Sequence, residues 1–557
     1  MIEHRESISS TTSPKREALR EAGEDEKVHA IERARREGKV VLTEDDCYDA
    51  LGYNFGWWKK WTILTVIFIV QVSMNFNSSL YSNNLDNIQE KFGVSAQAAR
   101  CGAMIFLVFY AFGCELWAPW SEELGRKPIL QLSLFLVNLW QIPAALSPTF
   151  GGLLVARALG GLSSAGGSVT LGMVADMFEP NDQQYAVAYI VLSSVGGSIF
   201  GPIIGAFTEA YLGYKWNFWV QLIFGLFTQV CHLLLVPETR SSILVDREAK
   251  RRRKNGEPNV YGPNEVTPVR ERFSAKEIGI IWIRPFHMFL TEPIVLFLSL
   301  LSGFSDALIF MFLQSFALVY KNIYGFGTIA TNMAFAPILI GYFIAWFSFM
   351  PFFNRNKRDR ELHPHNERIQ YESRLWWLLF TAPCLWIGLF GFAWTTLPNV
   401  HWIASMIFAA VIGIANYSIY MATIDYMICA YGAYSASATG GNGFSRDFLA
   451  GVLTIPATPF FTNIGPDHHV NYACTILGCI AFLITIPVYI FYFKGEWFRK
   501  RSPFACSLAD AAKENELRRT ESIVRVSTRH SEVRGTSLRS PSRARSRKES
   551  VEHVENA

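Results

Sequence analysis

Four ionisable side chains lie where the surrounding sequence is almost wholly apolar: Arg157, Asp306, and the adjacent Arg446 and Asp447. A charge at the centre of a bilayer costs about 2.5–3.5 kcal/mol on insertion scales, so each must face a partner or a wet cavity. A carboxylate balanced between burial and a neighbouring guanidinium can take up and release a proton. Asp306 has either Arg157 or Arg446 as its candidate partner, and all four residues are proton-coupling candidates. Asp306, Phe310 and Gln314 follow one another at four-residue spacing, which puts an acid, a ring and an amide on one helical face. Asn75, Asn77, Asn416 and Tyr420 are further candidates for a mixed cavity, where rings give broad contact and amides orient polar groups. Asp425, at the end of its apolar window, reads as solvated. Nothing in the chain has the pattern of a nucleophile with its base, a metal-ligand set or a P-loop. The nine cysteines have no paired spacing, which argues against a disulfide framework or a zinc site. Neither an enzyme nor an ATP-driven pump is expected, and no metal or cofactor.

The elements that must hold these residues are long apolar windows. The 557-residue chain is 50% hydrophobic, and its charge is concentrated in the two tails and two internal stretches. Twelve windows have the length and composition of a membrane crossing. They are Trp61 to Tyr81, Ala98 to Trp117, Ile129 to Leu146, Gly151 to Ala175, Tyr185 to Ala210, Trp216 to Val236, Glu292 to Tyr320, Ala330 to Phe352, Leu375 to Thr395, Trp402 to Asp425, Ser437 to Phe461 and Tyr472 to Phe493. The expected fold is therefore an all-α integral membrane protein of twelve transmembrane helices in two six-helix bundles. Its parts are a cytoplasmic tail (1–60), a first bundle (61–236), a central cytoplasmic loop (237–290), a second bundle (291–495) and a disordered cytoplasmic tail (496–557). Even-numbered connections carry Arg126, Lys127, the basic run 250–254, and Arg355, Lys357, Arg358 and Arg360, whereas odd-numbered ones offer little beyond Lys91, Lys215 and Lys321. The positive-inside bias thus puts both termini in the cytoplasm. The first 60 residues are polar and hold no short apolar core of the kind a cleavable signal needs. Within them a short solvated helix is expected to end at Gly38, and Trp57, Trp58, Lys59 and Lys60 suit the membrane interface. Asn77-Ser78-Ser79 is a glycosylation sequon placed inside or too near the first helix to be a good acceptor.

The fifth window contains "GSIFGPIIGAF", residues 197–207, with Gly197, Gly201 and Gly205 four residues apart and Pro202 between them. In lipid, close helix contact relies on small residues that let backbones approach. Pro202 cannot donate to the carbonyl of Ser198, which leaves a soft point. This stretch resembles the "GxxxGPxxGG" antiporter motif of the drug:proton antiporters of the major facilitator superfamily, with Ala206 in place of the last glycine. "APWSEELGRKPIL", residues 118–130, resembles the superfamily loop "GxLaDrxGrkxxl" through Gly125, Arg126 and Lys127. Ala118 there replaces the first glycine and Glu122 stands where the acid is usually Asp. "LVARALGGLSSAGG" resembles the fourth-helix motif "RxxqGxgaa" through Arg157 and Gly161, and "VPETR", residues 236–240, resembles the sixth-helix exit. "KWNFW", "EPIVL", "ESRLWW" and "FKGEWFRKRSPFA" are similar to the fungal twelve-helix branch.

The resemblance implies alternating access, with a cytoplasmic latch of Glu122, Gly125, Arg126, Lys127 and the helix-end acid Asp176, and a rocking fifth helix. In the family pattern an aromatic is commoner near position 306 and an acid near 314, so the family's substrate contacts do not carry over. The function it implies is export of an amphiphilic drug, toxin or secondary metabolite in exchange for protons, across the plasma membrane with the vacuolar membrane as the alternative. Proton-coupled uptake, or polyamine or organic-acid transport, is the rival on the same fold, and a receptor or scaffold is the rival off it. The expected partners are a small-molecule substrate, protons and membrane lipids, with no nucleic acid, and a monomer is expected.

Overall fold

The computed structural model describes residues 33–34, 36–164, 166–178, 182–266, 275–363, 366–465, 469–502 and 504–505. The C-terminal stretch expected to be disordered lies, from residue 506 on, outside the described residues. So does most of the expected N-terminal helix; of its last residues, 33, 34 and 36 are helical and Gly38 is seen at φ +76°.

Helices dominate because a chain in hydrocarbon must satisfy its backbone polar groups within each segment. The first half contains α1 (Trp57–Leu80), α2 (Ala96–Glu123), α3 (Arg126–Leu146), α4 (Phe150–Leu162), α5 (Gly166–Met177), α6 (Gln183–Tyr211) and α7 (Lys215–Leu235). The connecting stretch forms α8 (Ser241–Lys254) and α9 (Ala275–Thr291). The second half contains α10 (Pro293–Phe316), α11 (Ala336–Leu362), α12 (Cys384–Thr395), α13 (Trp402–Tyr431), α14 (Ser435–Asn463) and α15 (His469–Arg501). Local chemistry marks the starts: Ser95 caps α2 by accepting from the Ala98 amide, Thr149 caps α4 by accepting from Gly152, and Pro293 opens α10.

The two halves pack in the same pattern. In the first, α1 lies on α6, α2 on α4 and α3 on α7; in the second, α10 lies on α14, α11 on α13 and α12 on α15. Each partner occupies the equivalent place in its half, as expected of an internal repeat. The halves meet where α2 touches α14 and where α6 touches α11 and α13. Large side chains such as Phe135, Val155, Ile223, Phe227, Phe347 and Leu483 point outward and are exposed. Apolar cover on that scale suits lipid rather than water. Among the described residues eleven helical runs are long and apolar enough to cross a membrane. The helix outside that count is α14: it is 29 residues long, but its "SASATGGNG" start and its Arg446–Asp447 pair lower its hydropathy.

The structure corrects several sequence-based boundaries. The fourth window is two helices, the first ending at Leu162 with Ser163 as its C-cap and the second starting at Gly166. Small residues bring this break against α2, where Gly161 faces the Phe106 carbonyl and Gly113 faces that of Leu162. The freed carbonyls are taken up by side chains: Trp117 Nε1 donates to Leu162 O at 2.9 Å and Ser133 Oγ to Ser163 O at 2.7 Å. The ninth window is also interrupted, with α12 starting only after Pro383. The seventh continues as a π-helical turn over Ala317–Ile323, and α11 and α15 run past their expected ends to Leu362 and Arg501.

The central stretch is more than a loop. β1 (Val40–Val41) pairs in parallel with β2 (Val260–Tyr261), and Leu42, Cys47, Leu51, Val245, Ala249 and Val260 form a small apolar core between them and α8. Part of the segment read as a free N-terminal tail is therefore folded onto the central stretch. Few apolar residues, separated by about two hundred positions, carry no periodicity that would reveal it. The assembly touches the first bundle, since Tyr53 donates its hydroxyl to the carbonyl of Ala175 at 3.1 Å.

Candidate functional site

Arg446 of α14 is the centre of an ion cluster. Its guanidinium lies 3.2 Å from Asp447 Oδ1 and 3.7 Å from Asp306 Oδ2 of α10, and it stacks 4.4 Å from the Tyr420 ring of α13. Its remaining nitrogen donates to Ser194 Oγ of α6 at 2.9 Å, so one side chain ties the second half to the first. Arg446, Asp306 and Asp447 are all buried.

A cavity of about 260 Å³ runs from this cluster between α2, α5, α13 and α14. Arg446, Asp447 and Tyr420 close its inner end, and Glu122, Arg126, Asp176 and Arg240 line its outer end on the basic face of the molecule. At the opposite face the halves are joined: Gln97 donates to the Ile455 carbonyl at 2.8 Å and Arg100 to Gln314 Oε1 at 3.4 Å. Just inside, Leu107, Ala307, Phe310 and Ala450 form an apolar plug.

This geometry sorts the sequence candidates. Tyr420 is the one of the six proposed substrate-cavity residues that lines the cavity. Phe310 belongs to the plug and Gln314 to the far seam, because the face they share with Asp306 points at α2 and α14. Asn75 packs against Gly197, Asn416 donates to Ser305 Oγ at 3.1 Å, and Asn77 accepts from Arg157 at 3.2 Å. Arg157 is not the partner of Asp306. It bonds Asn77 and the Gly102 carbonyl, lies over the rings of Tyr81 and Phe106, and has no carboxylate partner among the described residues. Asp425 is buried rather than solvated: it pairs with Arg374 and accepts from Gln184, which in turn accepts from Arg360 at 2.9 Å. Arg374 reaches Asp425 across 51 positions, a partnership that sequence distance conceals.

The latch residues come together within the first half. Arg126 Nε lies 2.9 Å from Asp176 Oδ2, Arg240 lies 3.4 Å from Asp176 Oδ1, and Glu122 stands 3.9 Å from Arg126. Lys127 donates to the Leu233 carbonyl at 3.0 Å. Gly125 takes φ +104°, and a side chain there would strike the carboxylate of Glu238. Glu238, the acid of "VPETR", accepts from four backbone amides, those of Arg126, Lys127, Thr239 and Arg240, at 2.9–3.2 Å. Replacing Glu238 by alanine strips those donors of a charged acceptor, at a cost on the order of 2–3 kcal/mol. We expect a lower thermal midpoint for purified Glu238→Ala and a smaller surface pool; an unchanged midpoint would show that water replaces the carboxylate without penalty.

The glycine ridge of α6 lies against α1. Gly197 faces Val72 and Asn75, Gly201 faces Ser79 and Leu80, and Gly205 faces Asn83. Asn83 also donates to the Pro202 carbonyl at 3.0 Å, bracing the helix at its proline. Glu115 is a cavity residue that sequence reasoning missed. The signal was present, since it is an ionisable residue inside the second apolar window, like the four singled out.

Comparison with known proteins agrees with this architecture. The family model described as Major Facilitator Superfamily matches residues 67–455. The chain is 30% identical over 465 residues to the MFS-type transporter kojT of Aspergillus flavus, covering 82% of this chain and 81% of that one. It is 34% identical over 396 residues to the efflux pump atB of Aspergillus terreus, covering 70% and 81%. It is 27% identical over 463 residues to the ascochitine biosynthesis cluster MFS transporter of Didymella fabae, covering 82% and 87%. Among solved structures, the proton:xylose symporter XylE superposes with a TM-score of 0.56 at 13% identity over 78% of this chain and 95% of its own. The human organic anion transporter MFSD10 superposes with a TM-score of 0.54 at 14% identity over 77% and 99%. At such identities these two speak for the fold alone.

Proposed function

Because the chain belongs to the Major Facilitator Superfamily, and is a membrane-spanning transporter rather than an enzyme, we propose that it exports an amphiphilic small molecule in exchange for protons. The observation that carries the reading is a cavity that reaches the basic face and ends on a buried acid–arginine–acid cluster bonded to both halves. By the positive-inside bias the basic face is cytoplasmic, with α14 as the eleventh of twelve crossings, so the cavity accepts substrate from the cytosol. Contacts of Gln184 with Arg360 and of Lys357 with Asp182 already join the halves beside the cavity at the basic face, and rocking of the halves then breaks the Gln97–Ile455 and Arg100–Gln314 seam on the other side.

Protonation of Asp306 or Asp447 from outside loosens its hold on Arg446, and proton loss to the cytosol restores it. A membrane potential of 100 mV supplies about 2.3 kcal/mol per charge moved. One pH unit adds about 1.4 kcal/mol, so one proton per cycle sustains a substrate gradient above tenfold. Relatives named as an efflux pump and as a biosynthesis-cluster transporter support outward movement of a secondary metabolite, and the membrane we propose for it is the plasma membrane. The test is accumulation of the host's own metabolites and a panel of amphiphilic dyes. Deletion is expected to raise, and overexpression to lower, the cellular content of at least one compound. The opposite sign would establish uptake.

A further inference from the structure

Every arginine on the cavity wall faces an acid: Arg126 and Arg240 share Asp176, and Arg446 holds Asp306 and Asp447. Glu115 of α2 is the carboxylate left over. It lines the same cavity, is only 5% exposed, has no cation or hydrogen-bond donor opposite it among the described residues, and leaves its Oε1 unpartnered. The place it occupies is cut to fit. A Cβ added at Gly440 of α14 would lie 2.7 Å from Glu115 Oε2 and 2.8 Å from Oε1, so only glycine at 440 leaves room for this carboxylate at the interface between the halves. A buried, unpaired carboxylate costs several kcal/mol until a cation or a proton neutralises it.

We propose that Glu115 determines specificity by binding a protonated amine, and that the transported molecules are amphiphiles bearing one such group. This names a substrate class for the cavity and so rests on the transport reading above. The ammonium supplies the positive charge that the wall lacks and donates to Oε1, while the Tyr420 ring at the inner end accepts the apolar part. Gly440 acts as the space that lets one carboxylate of α2 be reached across the seam with α14.

The experiment measures equilibrium binding, so it does not depend on the direction of transport or on protons driving it. Full-length protein in lipid nanodiscs is titrated with phenylbutylamine and with phenylbutanol, which differ in carrying an ammonium or a hydroxyl, and the thermal midpoint is followed. The amine is expected to half-saturate at a concentration about tenfold or more below that of the alcohol, as a desolvated charge pair requires. Glu115→Gln should erase this preference, and Gly440→Ala, which displaces the carboxylate, should reduce it. Equal response of the wild-type protein to both probes would overturn the proposal even if neither variant folds. So would a preference that survives in Glu115→Gln.

Discussion

Gly201→Leu is expected to lower substrate turnover per molecule by about tenfold or more while the protein still reaches its membrane. A Cβ at this position already overlaps the Ser79 side chain and sits 2.9 Å from the Leu80 amide nitrogen. Both residues belong to α1: the Ser79 hydroxyl can rotate aside, but the Leu80 nitrogen is backbone and cannot move without shifting that helix. A leucine adds three further carbons, so α6 must separate from α1 or rotate, and either change displaces Ser194, about two turns nearer the basic face on the same helix and bonded to Arg446. Gly196→Ala is the control. It lies on the same helix with nothing closer than Leu339 at 3.8 Å, an ordinary contact, and should leave transport within about twofold. Transport assayed per molecule at the surface distinguishes the two; normal transport by Gly201→Leu would mean that the ridge is mere filling.

Arg446→Met should be the most destructive single change in the second half. It leaves Asp306 and Asp447 facing each other in a buried site with their shared cation removed. Removing one partner of a buried pair costs about 3–5 kcal/mol, a large part of the stability of any domain. Loss of abundance is expected, with the residual protein inactive. Asp306→Asn should fold, because Asp447 still neutralises Arg446. Adding Asp306→Asn and Asp447→Asn to Arg446→Met removes the uncompensated charges and should recover abundance without recovering coupling. Size-exclusion profiles and surface levels of the single and triple variants test this. A stable, abundant Arg446→Met would show that the two carboxylates already share protons and need no arginine.

The apolar windows and basic loops of the sequence located nearly every long helix, because lipid demands about twenty apolar residues per crossing whatever the packing. What hydropathy cannot carry is orientation about the helix axis. Arg157 and Arg446 looked alike as buried cations, yet one is held by an amide, a carbonyl and two rings and the other by two acids. Asn75, Asn77, Phe310, Gln314 and Asn416 lie in the apolar windows that hold them but are not among the residues lining this cavity. The break after Leu162 was written in its run of small residues, but only the side chains of Trp117 and Ser133, from two other helices, make it affordable. The pairing of β1 with β2 left no periodic trace at all. Glu238 and Glu115 were visible as letters, and their roles follow from neighbours that sequence does not bring together: the first two amides of α3 for one, a glycine across the seam for the other.

The central claim is that the Asp306–Arg446–Asp447 cluster couples substrate movement to protons. The most direct test reconstitutes wild type and Asp306→Asn in sealed vesicles with a compound identified by the accumulation assay, and measures its uphill movement under an imposed pH gradient beside its exchange at equal pH. The wild-type protein should concentrate the compound whenever the gradient is present. Asp306→Asn should keep exchange and lose concentration, because its amide binds Arg446 but cannot titrate. Full gradient-driven accumulation by Asp306→Asn, with exchange intact, would contradict the account and remove Asp306 from the coupling step.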